Sequence, residues 1–163
     1  MTLAYVGMGA NLGSPIEALR QALMAMRALP ETQIEAVSPL YRTAPLDASG
    51  PDFINAVAAL HTGLEPEVLL QHLLAIEKTL GRSRPYRNAP RTLDLDLLLH
   101  GSVAQHSITL TLPHPRMHLR QFVLLPLLAL DPQVQIPGLG EASLLSQGLA
   151  GQVIERLSER LLP

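Results

Sequence analysis

The sequence predicts an α+β fold with a mainly antiparallel sheet. Its core is a βαββαβ unit of the ferredoxin-like, split βαβ kind, with helices on the sheet, an extra hairpin strand and C-terminal helices. Three observations predict it. Apolar residues alternate between strand-like runs and helical spacing in that order, a proline opens each of the first two helical stretches, and no repeat or linker divides the 163 residues. A chain of this length fits one domain over 1–163 and can bury a sizeable core without staples.

Leu3 to Gly9 reads as a short buried strand ending in glycines. Ser14-Pro15-Ile16-Glu17 then starts a helix, with Ser14 as N-cap, Pro15 at its first position and Glu17 completing a capping box. Ile16, Leu19, Leu23, Met26 and Leu29 keep helical spacing until Pro30. Ile34 to Thr43 is predicted as a second strand, Ala44 to Asp52 as a loop holding Pro45, Gly50 and Pro51, and Phe53 to His61 as a third strand. Pro66 opens a second helix, with Val68, Leu69, Leu73, Ile76 and Leu80 on one face and Gly81 as its stop. Leu93 to Leu99 forms the fourth strand, and Gly101-Ser102 turns the chain into a strand ending near Leu112. Phe122 to Leu130 is a short buried helix, with weaker helical signals around Leu144 and from Val153 to Leu161.

Apolar residues make up 47% and charged residues 16%, the balance of a folded globular protein. The absence of cysteine excludes a disulfide framework and zinc–thiolate sites. No basic segment precedes an apolar block, and no apolar run approaches the ~20 residues of a membrane span. A cytoplasmic protein without a membrane partner is therefore expected. A net charge of −2 argues against a general nucleic-acid binder. All but one of the 12 basic residues are arginine, the exception being Lys78. That bias suits bidentate recognition of phosphate, and equally suits a GC-rich genome.

Four arginines, Arg82, Arg84, Arg87 and Arg91, fall within ten residues, and Asp94 and Asp96 follow at once. Residues two apart on a strand share a face, so the two carboxylates project together, roughly 6–7 Å apart at their Cα atoms by the strand rise. Leu93, Leu95 and Leu97 point to the opposite face, into the core. Two adjacent carboxylates repel unless a cation lies between them, and magnesium held by one or two carboxylates plus substrate phosphates fits. Solvated surface charge explains either cluster alone. Side by side, they supply the phosphate clamp and metal holder that phosphoryl transfer needs.

Familiar nucleotide motifs are missing. Lys78 does not stand in a P-loop, and Gly7-Met8-Gly9-Ala10-Asn11-Leu12-Gly13 has its third glycine one place late for a dinucleotide fingerprint. His114 and His118 are spaced for zinc on a helix but lack a third nearby ligand, so a histidine and an arginine reaching nucleotide phosphates is the better reading. Phe53 and Phe122, the two phenylalanines, suit the core. Alternatively they clamp a flat heterocycle whose edge Asn55 reads with its amide.

Pro90-Arg91-Thr92-Leu93-Asp94-Leu95-Asp96-Leu97-Leu98-Leu99 resembles the signature of the 6-hydroxymethyl-7,8-dihydropterin pyrophosphokinases of folate biosynthesis. The resemblance runs to about residue 132. It includes Gly9-Ala10-Asn11-Leu12-Gly13, Tyr41-Arg42-Thr43-Ala44-Pro45, Asp52-Phe53-Ile54-Asn55-Ala56, Glu77, Gly81-Arg82 and Pro113-His114-Pro115-Arg116-Met117. It implies transfer of pyrophosphate from ATP to the pterin hydroxymethyl group, releasing AMP, with two magnesium ions on Asp94 and Asp96. It further implies Arg82 and Arg91 as catalytic-loop arginines, and Arg84, His114 and Arg120 at the nucleotide. Leu97, Leu110 and Thr111 would lie near the adenine, with Glu77 on the nucleotide side. Thr43, Pro45, Leu46, Phe53, Asn55 and Phe122 would form the pterin pocket. A monomer is expected.

Three positions depart from that pattern: Asn88 where a loop tryptophan is usual, Leu74 for a glutamine, and Pro115 for an aromatic. Two rival functions remain at this level. An RNA-binding module should stack bases on sheet aromatics, and only five phenylalanines and tyrosines exist. A metal-dependent phosphohydrolase would leave the segment from Thr43 to Asn55 without a role.

Overall fold

Strand β1 (Thr2–Ala10) runs through the middle of the sheet, hydrogen-bonded to a strand on either side. It belongs to a computed structural model that describes residues 1–45, 50–81 and 93–162. The chain continues through α1 (Pro15–Arg27), β2 (Thr32–Val37), β3 (Tyr41–Thr43), β4 (Phe53–Thr62), α2 (Pro66–Leu80) and β5 (Asp94–His100). A hairpin of β6 (Gln105–His106) and β7 (Thr111–Leu112) and a 3-10 turn at Met117–Leu119 lead to α3 (Gln121–Leu130). Then come β8 (Gln135–Ile136), β9 (Gly140–Glu141), α4 (Ala142–Gln147) and β10 (Glu155–Arg156).

The main sheet has the order β10-β3-β4-β1-β5, with β2 also on β4. Every neighbouring pair is antiparallel. β1 and β2 therefore run parallel with β4 inserted between them, which is the split βαβ arrangement expected.

The two-residue period of the strands divides the core. Ala4, Val6 and Met8 of β1, Ile54, Ala56 and Ala58 of β4, and Leu93, Leu95 and Leu97 face α1 and α2. There they meet Leu19, Leu23, Met26, Leu69 and Leu73. The opposite face sends Tyr5, Val57, Ala59, Leu98 and Leu99 against Val123, Leu124 and Leu127 of α3. Leu98 and Leu99 share that side because the register slips between Tyr5, opposite Leu99, and Val6, opposite Leu97. Such an extra residue is a β-bulge, and it ends the alternation that governs the first half of β5.

Several expectations need correction. The predicted strand from Ile34 to Thr43 is two strands. Between them Pro39 has no N–H to give the ladder, and Ser38 bridges instead, donating its N–H to Val57 O and accepting the Val57 N–H on Oγ, both at 2.9 Å. The capping box is not formed. Ser14 makes no side-chain cap bond, and Glu17 pairs with Arg20 at 2.9 Å, a charged partner one turn on. Val68 lies on the exposed side of α2. The hairpin strand expected after Gly101 is present: among the described residues β6 and β7 pair as a two-stranded sheet of their own, ending at Leu112. Val153 to Leu161 is not helical, because Glu155 and Arg156 pair with Arg42 and Tyr41 at the sheet edge. That pairing satisfies backbone groups which weak helical periodicity could not outbid.

Candidate active site

Cross-strand register brings the chemistry-bearing residues onto the α3 side of the sheet. Gly9 of β1 stands opposite Asn55 of β4 on one flank and Asp94 of β5 on the other; Gly7 stands opposite Val57 and Asp96. Directly paired antiparallel residues point to the same side. Two glycines thus separate the aspartates from Asn55 with bare backbone. A Cβ on Gly9 would come to 3.0 Å from Asn55 Oδ1, a tight contact that only a shift of that amide would relieve. Glycine here serves close approach of the flanking side chains.

That open floor belongs to a cavity of about 340 Å³. Phe53 and Asn55 on one wall, Asp94 and Asp96 on another, and Arg120 and Phe122 at the start of α3 line it, with Thr43 beside Asn55. Asn55 is buried and donates from Nδ2 to Thr43 Oγ1 at 3.1 Å, which fixes the plane of its amide. Arg120 lies over the Phe122 ring, 5.5 Å from Cζ to the centroid, within cation–π range. An aromatic-walled slot with one oriented amide suits a flat, polar-edged ligand.

A second cavity of about 340 Å³ opens on the other side of the same two carboxylates. Glu77, Leu97, Leu110, Thr111 and His114 line it, together with Leu74 and Pro115. Its frame is the outer edge of β5. Because β5 is the outermost strand there, its outward backbone groups need partners from elsewhere. Leu98 O accepts the His114 N–H at 2.9 Å, and the Leu95 N–H donates to Glu77 Oε2 at 2.7 Å.

His114 is held in a defined state. The Arg116 N–H donates to its Nδ1 at 3.1 Å, so Nδ1 is an acceptor and the neutral ring carries its proton on Nε2. Burial pushes its pKa below the ordinary histidine value; Asp96 opposes that shift, while Arg120 and Arg116 add to it. His114 and His118 do not share a helix, since His118 lies in the Met117–Leu119 turn and His114 precedes it. Among the described residues no group of three His, Cys, Asp or Glu side chains could hold a metal. The donor set on β5 is two carboxylates. That set fits a magnesium ion whose remaining positions are filled by water and phosphate oxygens.

Of the residues singled out by sequence, Thr43, Phe53, Asn55, Phe122, Asp94 and Asp96 converge on the first cavity. Glu77, Leu97, Leu110, Thr111, His114 and the same two aspartates converge on the second. Arg120 lines the first cavity and not the second. Pro45 is half-buried but does not line the first cavity. Leu46, Arg82, Arg84 and Arg91 lie outside the described residues.

Sequence reasoning missed the support under Phe122. Gln121, next to it, is buried and exchanges bonds with Ser146 of α4: Nε2 to Ser146 O at 3.2 Å, and Ser146 Oγ to Gln121 Oε1 at 2.8 Å. Gln152 accepts the Gln121 N–H at 3.0 Å and donates to Leu119 O at 2.9 Å. The C-terminal segment thereby anchors the turn that presents Arg120 and Phe122. Isolated glutamines in a weakly patterned tail carry no local signal of such a network.

A family model described as 7,8-dihydro-6-hydroxymethylpterin-pyrophosphokinase (HPPK) matches residues 5–132. Among curated proteins, the Pseudomonas aeruginosa 2-amino-4-hydroxy-6-hydroxymethyldihydropteridine pyrophosphokinase is 49% identical over 134 residues, covering 82% of this chain and 83% of that protein. The Haemophilus influenzae protein of the same name is 41% identical over 138 residues, covering 84% and 86%. Among solved structures, wild-type Plasmodium falciparum HPPK-DHPS matches with a TM-score of 0.72 at 13% identity, over 92% of this chain. This chain spans 45% of that longer one, and the likeness there is one of fold.

Proposed function

The chain belongs to the 7,8-dihydro-6-hydroxymethylpterin-pyrophosphokinase family, whose reaction is pyrophosphoryl transfer in folate biosynthesis, and from that premise we propose how its own residues carry the transfer out. ATP occupies the second cavity and 6-hydroxymethyl-7,8-dihydropterin the first. The pterin ring lies between Phe53 and Phe122, and Asn55, held by Thr43, reads its edge. Pro45 and Leu46 are assigned to the pterin by the family resemblance alone. Leu97, Leu110 and Thr111 take the adenine end of the nucleotide, and His114 donates from Nε2 to its phosphates. Glu77 stands on the nucleotide side. Arg120 serves the nucleotide from its place beside the pterin, where the phosphates reach toward the first cavity. Residues 1–163 act as one domain, a cytoplasmic monomer.

One observation carries this reading: Asp94 and Asp96 line both cavities. A phosphoryl group passing from one ligand to the other must cross between them, and the pair stands at that crossing. Asp94 and Asp96 would hold two magnesium ions with the triphosphate, which when bound draw charge from the phosphate oxygens. The family resemblance assigns Arg82, Arg84 and Arg91 to the phosphates, where guanidinium groups would stabilise charge that spreads during transfer. The hydroxymethyl oxygen forms a bond to the β-phosphorus and its proton is released. The bond from that phosphorus to the oxygen bridging toward the α-phosphate breaks, and AMP leaves with that oxygen. The aromatic walls and Asn55 hold the hydroxyl in line, which supplies orientation in place of a chance encounter.

Incubation with ATP, magnesium and the hydroxymethyl pterin, followed by chromatography of the products, tests the reading. Pterin pyrophosphate and AMP in equal amounts are expected. ADP with phosphate would instead make the protein a phosphohydrolase, and no turnover would remove the assignment.

A further inference from the structure

We propose that Glu77 is a positioning residue: from α2 it pins the backbone of β5 at Leu95 and thereby sets the aim of Asp94 and Asp96. The inference rests on the reading of those two aspartates as the metal pair. β5 is hydrogen-bonded to β1 along one side and lies at the end of the main sheet. A strand with one neighbour is the easiest part of a sheet to shift or fray. Its two aspartates must nonetheless keep a fixed separation, because carboxylates that hold a shared metal tolerate little displacement.

Leu95 lies between them, and its side chain is buried on the helix side of the sheet. Its N–H points outward to Glu77 Oε2 at 2.7 Å, a short bond to an ionised acceptor and stronger than a neutral one. Three residues on, the Leu98 carbonyl is held by the His114 N–H at 2.9 Å. The outer edge of β5 is thus clamped at two points that bracket Asp96. Glu77 sits half-buried in the last turns of α2, whose buried Leu73 and Ile76 fix the helix against the core. The clamp consequently ties the metal-holding strand to the rigid helix layer.

A positioning role and a direct role at the ligand separate by substitution. Glutamine keeps a carbonyl acceptor for the Leu95 N–H and removes the charge; alanine removes both. In Glu77→Ala the Leu95 amide should exchange with solvent at least about tenfold faster, while Val57 and Ala58 amides in β4 stay protected and report an intact fold. kcat should fall at least about tenfold with KM for ATP within about threefold, the signature of misplaced transition-state contacts. Glu77→Gln should recover most of both losses. The proposal is overturned if Glu77→Gln is as impaired in kcat as Glu77→Ala while Leu95 stays protected, since charge rather than position would then matter. Unchanged kcat in Glu77→Ala overturns it too. Magnesium titration of wild-type amide resonances tests the underlying reading separately. If Asp94 and Asp96 do not respond, the metal assignment fails, while Leu95 exchange still reports on Glu77.

Discussion

The two cavities have similar volume and share Asp94 and Asp96, yet they are built in different ways. The first rests on the interior of the sheet, where β1 and β4 are paired along both sides. Its key side chain, Asn55, is buried and bonded to Thr43, with Gly9 opposite. The second gathers parts that sheet pairing does not fix: the outer edge of β5, one face of α2, the β6–β7 hairpin with Ile108 fully exposed, and the turn holding His114. A site on registered strands can read a rigid ligand side chain by side chain. A site on an edge, a helix and a hairpin must hold its ligand through many partial contacts, and its precision has to come from clamps such as Glu77 on Leu95.

The contrast can be broken first in the interior cavity. Asn55→Ala leaves Thr43 without its partner and deletes the oriented amide. Removing one buried polar contact costs about 1–3 kcal/mol, so KM for the pterin should rise about 5- to 150-fold. KM for ATP should move by less than about twofold, because interactions confined to one ligand are lost with that ligand alone. Steady-state kinetics with each substrate varied checks this. Equal rises in both KM values would show that the cavities are not separate sites.

A smaller effect belongs to His114 in the second cavity. Its folded pKa lies below the ordinary value, chiefly through burial. The unfolded chain therefore binds a proton in a pH window where the folded chain does not. The resulting stability is fully present above the ordinary histidine pKa of about 6.5 and is lost as pH falls from there through the lowered folded value. The ring is only half-buried, so solvent screens the effect and it should be slight. An NMR titration of the imidazole should give a midpoint below the ordinary value, and one at or above it would contradict burial as the dominant influence on this ring.

Much of the first cavity was legible in the sequence, for a physical reason. The alternation Leu93-Asp94-Leu95-Asp96-Leu97 can be satisfied by one orientation only, and the strand adopts it. The use of Gly9, by contrast, has no local signal, because it depends on Asn55 and Asp94 arriving opposite it from 46 and 85 residues away. The bulge at Leu98 was invisible for the same reason: a leucine run has no period that marks a slip. The tail was least legible. The pairing of Glu155 and Arg156 with β3, and the bonds from Ser146 and Gln152 to Gln121, are long-range contacts of ordinary polar residues. Nothing local announces them.

The proposed reaction requires two ligands to meet at one pair of carboxylates. A crystal structure with a non-hydrolysable ATP analogue, the pterin and manganese in place of magnesium tests it most directly, because manganese is located by its anomalous signal. Anomalous peaks are expected at the Asp94 and Asp96 carboxylates, with the nucleotide beside His114 and Leu110 and the pterin between Phe53 and Phe122. Manganese bound away from β5, or both ligands on the same side of the aspartates, would contradict it.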